Sequence, residues 1–323
     1  MTNRRHALVT SLAFASTAGM PLWVRSQAAP LKIVVGFAPG GSADSVARVV
    51  ADLLQGPLGK PVIVDNRAGA AGRLAIEQVK AAPPDGNTLL VVPHGPVTLF
   101  PHVFKSLRFD MDRDFVPVTR VATADYALTI GPMVPARDLK GFIAWAKSAG
   151  DKASFGSPGS GTVPHLLGVS MGREMGIRWT HVPYRGVALA MNDLAGGVVS
   201  AVVSPLTEAL ELHKAGRVHI VATTGAARSP FSPDVPTFKE SGIDVDVPGW
   251  FAIYAATGTP AATLERYRTL LTAALGTPVV QERLSRLGLV AAPNTPAEQL
   301  ALQQRETQMW GRVVKASGFT PED

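Results

Sequence analysis

From residue 31 onward, short runs rich in β-branched residues alternate with stretches whose apolar residues recur at helical spacing. The runs are LKIVVGF (31–37), PVIVDN (61–66), NTLLVVP (87–93), YALTIG (126–131), ASFGS (153–157), RWTHVPY (178–184), VSAVVS (199–204) and RVHIVATT (217–224). The spacing predicts helices over 44–55, 70–82, 139–149, 162–175, 187–195, 205–215, 260–275 and 295–317. This alternation predicts an α/β fold of parallel sheets with helices on both faces. Ligands of open α/β sheets bind beyond the carboxyl ends of the strands, so the strand-to-helix turns are the places to search for function.

Two of those turns are alike. In IVVGFAPGGSADSVARVVADLL (33–54) a strand runs into Pro39, Gly40, Gly41, Ser42 and Asp44, and a helix face follows at Val46, Ala47, Val49, Val50, Leu53 and Leu54. In ASFGSPGSGTVPHLLGVSMGREMG (153–176) a strand meets Gly156, Ser157, Gly159, Ser160 and Gly161, and Thr162 is placed to cap a helix. A helix start carries unpaired N–H groups and partial positive charge, and glycine lets a ligand come close to the backbone. The plainer reading is a tight turn with a polar cap, such as Ser42 or Asp44. A third strand end, VVPHGPVT (91–98), offers His94, Gly95 and Thr98. Two Gly/Ser turns on separate lobes would form a clamp lined by N–H groups.

The first 28 residues stand apart. Arg4, Arg5 and His6 precede an uncharged, mostly apolar run from Ala7 to Val24, and Ser26-Gln27-Ala28 resembles a small-x-small cleavage site. We read 1–28 as a signal peptide cleaved after Ala28, by the Sec or twin-arginine route, with export to the periplasm. Gly19 and Pro21 break the run, which is short for a membrane span. Its removal takes three of the 31 basic residues and no acidic one, so 28 face 25 acidic residues, a formal +3. Those charges are dispersed, which excludes a basic nucleic-acid stripe and leaves small anions as suitable partners. With no cysteine there are no disulfides, thiolate metal sites or Cys nucleophile.

Catalytic constellations are missing. Neither Gly/Ser turn forms a G-x-S-x-G elbow, because Pro158 precedes Ser160 by two places and Asp44 follows Ser42 by two. Residues 36–41 continue into Ser42 rather than the Lys of a phosphate loop, and Gly159-Ser160-Gly161 continues into Thr162, Val163 and Pro164 rather than a dinucleotide fingerprint. The histidines include no H-x-x-x-H pair, so no metal site is expected. His94 and His165 sit where they either touch a ligand or serve the structure. Asp44 is better suited to stiffening its loop than to facing an anion, which it would repel. Arg67 and Arg185 are counter-charge candidates, and Phe37 and Tyr184 are candidate cleft walls or core.

Taken in order, VVGFAPGGSADSVARVVADLL, LGKPVIVDNRAGAAGRLA, PPDGNTLLVV, RDFVPVTRVA, FGSPGSGTVPHLLG, HVPYRGVALAMNDLAGG and SPDVPTFKESG resemble the successive motifs of the tripartite tricarboxylate transporter solute-binding proteins, the Bug family. The resemblance spans essentially all of the chain after residue 28. It implies a two-lobed type II periplasmic-binding-protein fold with a ligand cleft between the lobes. Lobe 1 would comprise 29–124 and 250–323, and lobe 2 would comprise 125–249, with crossings near 122–126 and 248–252. It further implies that backbone N–H groups and small hydroxyls of the loops 37–44 and 157–162 hold a ligand carboxylate. The residues expected at the ligand are Phe37, Gly40, Gly41, Ser42, Ala43, Asp44, His94, Gly95, Ser157, Gly159, Ser160, Gly161, Thr162, His165, Tyr184 and Ser204.

The implied function is a non-enzymatic, monomeric receptor that needs no cofactor and delivers a small carboxylate to separate membrane permease subunits. The alternatives are a ligand sensor feeding a membrane kinase and an enzyme on the same fold. Departures from the family pattern include Ala43 for Thr or Ser, Phe100 for Asn, and Gly197-Val198-Val199-Ser200 for Gly-Gln-Val-Asp. Ser204-Pro205 replaces a more polar pair, and Pro158 and Pro164 stiffen the second loop. Together they predict a less polar pocket edge and a carboxylate with an apolar or aromatic body.

Overall fold

The computed structural model describes residues 29–321 except Asp246 and Pro248; the expected signal peptide lies outside the described residues. Two sheets organise the chain. The first takes β1 (Leu31–Val35), β2 (Val62–Asn66), β3 (Thr88–Pro93), β4 (Phe115–Ala124), β10 (Gly249–Ala256) and β11 (Val290–Ala291), in the order β11-β4-β10-β3-β1-β2. The second takes β5 (Tyr126–Ile130), β6 (Ser154–Ser157), β7 (Thr180–Pro183), β8 (Ala201–Pro205) and β9 (His219–Thr223), in the order β7-β6-β8-β5-β9. β1 pairs in parallel with β2 and β3, and β6 with β7 and β8. β10 runs antiparallel between β3 and β4, as β5 does between β8 and β9. The chain passes from the first sheet to the second at Asp125, between β4 and β5, and returns between β9 and β10.

The parallel strands form because both of their faces are covered. In β1, Ile33 and Val35 meet Val46, Val50 and Leu54 of the helix Ser42–Leu58, while Val34 faces a second core with Ile76 and Val79. All of these side chains are 0–1 % exposed, so each contributes about 1.5–3 kcal/mol through burial. The alternation predicted from the sequence is therefore realised, with its Gly/Ser turns leaving interior strands: β1 lies between β2 and β3, and β6 between β7 and β8.

Three strands are absent from the sequence-based expectation: β4, β10 and the two-residue β11. β10, GWFAIYAA, is buried at every position and lacks the alternation that marks a half-exposed strand. β4 contains Pro117, which reads as a strand breaker; it sits opposite Tyr254 at a register shift, where a ladder tolerates a missing N–H. The helix Pro278–Arg286 also went unpredicted. The C-terminal helix Pro296–Ser317 starts from a Thr295/Glu298 capping box and touches both lobes. Its Glu306 carboxylate accepts from Trp250 Nε1 at 2.9 and 3.0 Å, and its Ala316 carbonyl accepts from Arg173 of the second lobe at 2.7 Å.

Candidate functional site

The turn after β1 is held open by Asp44. Gly40 takes φ +91°, a conformation that favours glycine, and Gly41 begins the helix Ser42–Leu58 with no side chain capping it. Neither Ser42 nor Asp44 is the cap. The Asp44 carboxylate, 3 % exposed, instead accepts from the Gly40 N–H and Arg48 Nε through Oδ2 and from Asn66 Nδ2 through Oδ1, each at 2.9 Å. Asn66 also donates to the Phe37 carbonyl at 3.1 Å. Burial alone would raise the Asp44 pKa, but the bonds from Arg48, Gly40 and Asn66 outweigh it and hold the carboxyl below its ordinary value. Asp44 thus fixes the loop from behind. Helix geometry leaves the N–H groups of Ser42, Ala43 and Asp44 without intrahelical acceptors.

In front of that turn lies a cavity of about 510 Å³ between the lobes. Gly40, Ser42 and Ser45 line one side, together with residues 285–289 after the helix Pro278–Arg286. Thr207, Glu208, Leu210, Glu211, Lys214, Pro230 and Phe231 line the other. The Ser42 hydroxyl bridges the lobes: it donates to Glu208 Oε1 at 3.3 Å and, with its one proton so used, accepts from Thr207 Oγ1 at 3.1 Å. Burial pushes the Glu208 pKa up, and the Ser42 bond only partly offsets this. Gly288, at φ +70°, lets its turn approach Thr207 where a Cβ would come within 2.8 Å of that methyl group. The cationic side chains of the wall are already paired, Lys214 with Glu211 at 3.0 Å and Arg286 with Glu282 at 2.6 Å.

Of the residues expected at the ligand, Gly40 and Ser42 line this cavity, and Phe37, Gly41, Ala43 and Asp44 belong to the same turn. The second turn does not reach it. Ser157 is fully buried; its hydroxyl donates to the Gly159 carbonyl at 3.1 Å and accepts from His181 Nε2 at 2.7 Å. Thr162 donates to that same carbonyl at 2.7 Å, Ser160 is half-buried, and Gly161 lies against Val103 and Phe319. His165 accepts the Gly161 N–H through Nδ1 at 3.1 Å and stacks on His181 with ring centroids 3.8 Å apart. Burial lowers both histidines to about 4, which keeps them neutral and lets Nδ1 accept.

The remaining expected residues are also tied into the structure. His94 is 1 % exposed, with Nε2 2.9 Å from the Tyr126 hydroxyl and Nδ1 3.4 Å from Glu306. The last contact is a close approach and not a hydrogen bond. Gly95 packs so closely that a Cβ would come 3.1 Å from Val163. Tyr184 donates to Asp193 at 2.8 Å, and burial raises its pKa to about 12. Ser204 is fully buried and donates to the carbonyl of Pro205 at 3.2 Å.

Two of the departures expected at the pocket edge, Phe100 and Ser200, fall elsewhere. Phe100 is core, edge-on to Phe104 at 4.9 Å, and Ser200 is fully buried, exchanging hydrogen bonds with Ser154. The cavity wall is charged instead. Thr207 and Glu208 were missed although only Pro205 and Leu206 separate them from the predicted strand end at Ser204, which was the signal available. Residues 285–289 reach the cavity only through tertiary packing. Among the described residues no cluster of His, Cys, Asp or Glu is arranged to hold a metal, and no helix is long and apolar enough to cross a membrane.

Comparison with known proteins adds an independent line. The profile described as "Tripartite tricarboxylate transporter family receptor" matches residues 46–319. Among solved structures, the periplasmic binding protein BugD superposes with TM-score 0.82 at 30% identity, covering 91% of this chain and 99% of its own. Rpa4515 of R. palustris, solved with adipate, gives TM-score 0.86 at 28% identity, covering 91% and 98%. MatC of Rhodopseudomonas palustris, solved with malate, gives TM-score 0.79 at 30% identity, covering 88% and 98%. The two-sheet architecture is that of two-lobed periplasmic binding proteins.

Proposed function

Because the chain belongs to the tripartite tricarboxylate transporter receptor family, we propose that it is a periplasmic receptor that captures a small carboxylate between its lobes and passes it to separate membrane permease subunits. The observation that carries this reading is the uncapped helix start at residues 41–44, held open by Asp44 and opening on the interlobe cavity. A helix terminus favours an anion by about 0.3–1 kcal/mol, rising to ~2 when partly buried. Each hydrogen bond to a charged group adds about 1.5–3 kcal/mol. A few such contacts, less the cost of closure, support micromolar binding, about −8 kcal/mol. The adipate and malate held by two structural relatives support the same ligand class. In this reading lobe 1 is 29–124 with 250–323, lobe 2 is 125–249, and ligand contacts from both favour the closed form.

The test is a thermal-shift screen of protein that has been unfolded and refolded to remove captured ligand. The panel holds mono-, di- and tricarboxylates and amino acids, each beside its neutral amide. An acid present at 100 times its dissociation constant stabilises by about 2.7 kcal/mol, a shift of several degrees. The expected result is a rise with one class of acid and none with the amide. Equal shifts with acid and amide would refute carboxylate recognition.

A further inference from the structure

The wall opposite the helix start presents a carboxylate of its own. Glu208 reaches across the lobe boundary to Ser42, the first residue of that helix, and accepts one hydrogen bond there at 3.3 Å. The other ionisable groups of the cavity are Glu211, Lys214 and Arg286; Lys214 pairs with Glu211, and Arg286 pairs with Glu282. Among the described residues, Glu208 is thus left with a single serine hydroxyl as donor. A half-buried carboxylate in that state lacks donors, and a partner that brings positive charge supplies them. A dicarboxylate on the same helix start would instead set like charges against each other. One end of the cavity suits a carboxylate and the facing wall suits a cation.

Resting on the carboxylate reading above, we propose that Glu208 sets the specificity of this receptor: it binds an ammonium group of the ligand. The ligand is then an amino acid, or another acid with an amine a few bonds from its carboxylate, and simple dicarboxylates are rejected. The short path from the Ser42 backbone through its hydroxyl to Glu208 keeps the two recognised groups close together. The apolar residues Leu210, Phe231, Leu287 and Leu289 leave room for an apolar remainder.

The experiment is calorimetric titration of the refolded protein and of Glu208→Gln with matched probes. The sets pair L-leucine with 4-methylpentanoate, and 5-aminopentanoate with pentanoate and glutarate; the common L-amino acids, adipate and malate complete the panel. In the wild type, at least one amine-bearing acid should bind tenfold or more tighter than its amine-free counterpart and than any dicarboxylate. Glu208→Gln, with an unchanged melting temperature to show that it folds, should reduce that preference at least tenfold. Should a dicarboxylate or an amine-free acid bind best, the ammonium proposal is overturned while the carboxylate reading stands. An amine preference that survives in folded Glu208→Gln overturns the role of Glu208. If no acid of any kind binds, the carboxylate reading itself falls.

Discussion

Gly41→Asp is expected to place a competing carboxylate on the proposed ligand turn. Gly41 has φ −84° and ψ 173°, an extended conformation open to any residue, and a Cβ there would meet nothing closer than the Ala38 carbonyl at 4.0 Å. Aspartate at a helix N-cap accepts from the N–H groups two and three places on, here Ala43 and Asp44. Relative to glycine the cap is worth a few tenths of a kcal/mol and the helix dipole about 0.3–1, set against repulsion from Asp44 and Glu208. The net expectation is a fold unchanged or stabilised by up to about 0.5 kcal/mol, one or two degrees in melting temperature. The ligand loses two N–H bonds of about 1.5–3 kcal/mol each and meets a like charge, so affinity should fall at least a hundredfold. Gly41→Ala, which leaves the N–H groups open, should bind within about threefold of wild type, the change expected where no contact is lost. Calorimetry with the tightest acid, beside thermal melts, reads both quantities. A Gly41→Asp protein that melts normally and still binds within a few-fold of wild type would refute the docking of the carboxylate on this turn.

Asp44→Ala removes the acceptor shared by Gly40, Arg48 and Asn66 and should cost about 1–3 kcal/mol in denaturant unfolding, with weaker binding because the loop loses its brace. Because the folded Asp44 pKa lies below its ordinary 3.8, its contribution is present above that value and lost as pH falls; the acid limb of a stability profile should flatten in Asp44→Ala. His165 and His181 are held near 4 against an ordinary 6.5, so the unfolded chain takes up their protons first. The melting temperature should therefore fall as pH drops from 6.5 to 4, with a shallower slope in His181→Phe; an equal slope would contradict the burial of a neutral pair. Glu306→Ala strands the buried Trp250 Nε1 and should destabilise by about 1–3 kcal/mol, with Glu306→Gln recovering part of the loss because its amide oxygen still accepts.

The parallel part of the fold was legible because its rules are local. Each run such as IVV or LLVV is bounded by turn residues and followed by a helix whose apolar face repeats at 3.6 residues. β4 and β10 were not legible as strands, since what makes them strands is pairing between segments some 130 residues apart, with Pro117 accommodated by a shift in register that no local pattern announces. The site divides in the same way. The glycines of the turn 37–44 were legible, whereas the sequence offered Ser42 or Asp44 as a cap and the structure has neither capping the helix. The second Gly/Ser turn has similar letters, yet the hydroxyls of Ser157 and Thr162 are spent on the Gly159 carbonyl, and Ser157 also on a stacked histidine pair. Sequence shows which groups can bind an anion, and packing decides which are already engaged. Glu208 carried no motif at all and gains its meaning from facing Ser42 across the lobe boundary.

The central claim, that a ligand carboxylate docks on the helix start at 41–44 between the lobes, is tested most directly by a crystal structure of the protein with the tightest-binding acid of the screen. The account predicts carboxylate oxygens at about 2.7–3.1 Å from the backbone nitrogens of Ser42, Ala43 or Asp44, with the rest of the ligand in the cavity walled by Thr207, Glu208 and Phe231. A carboxylate held instead on the turn 157–162, or anywhere out of reach of those three nitrogens, would contradict it.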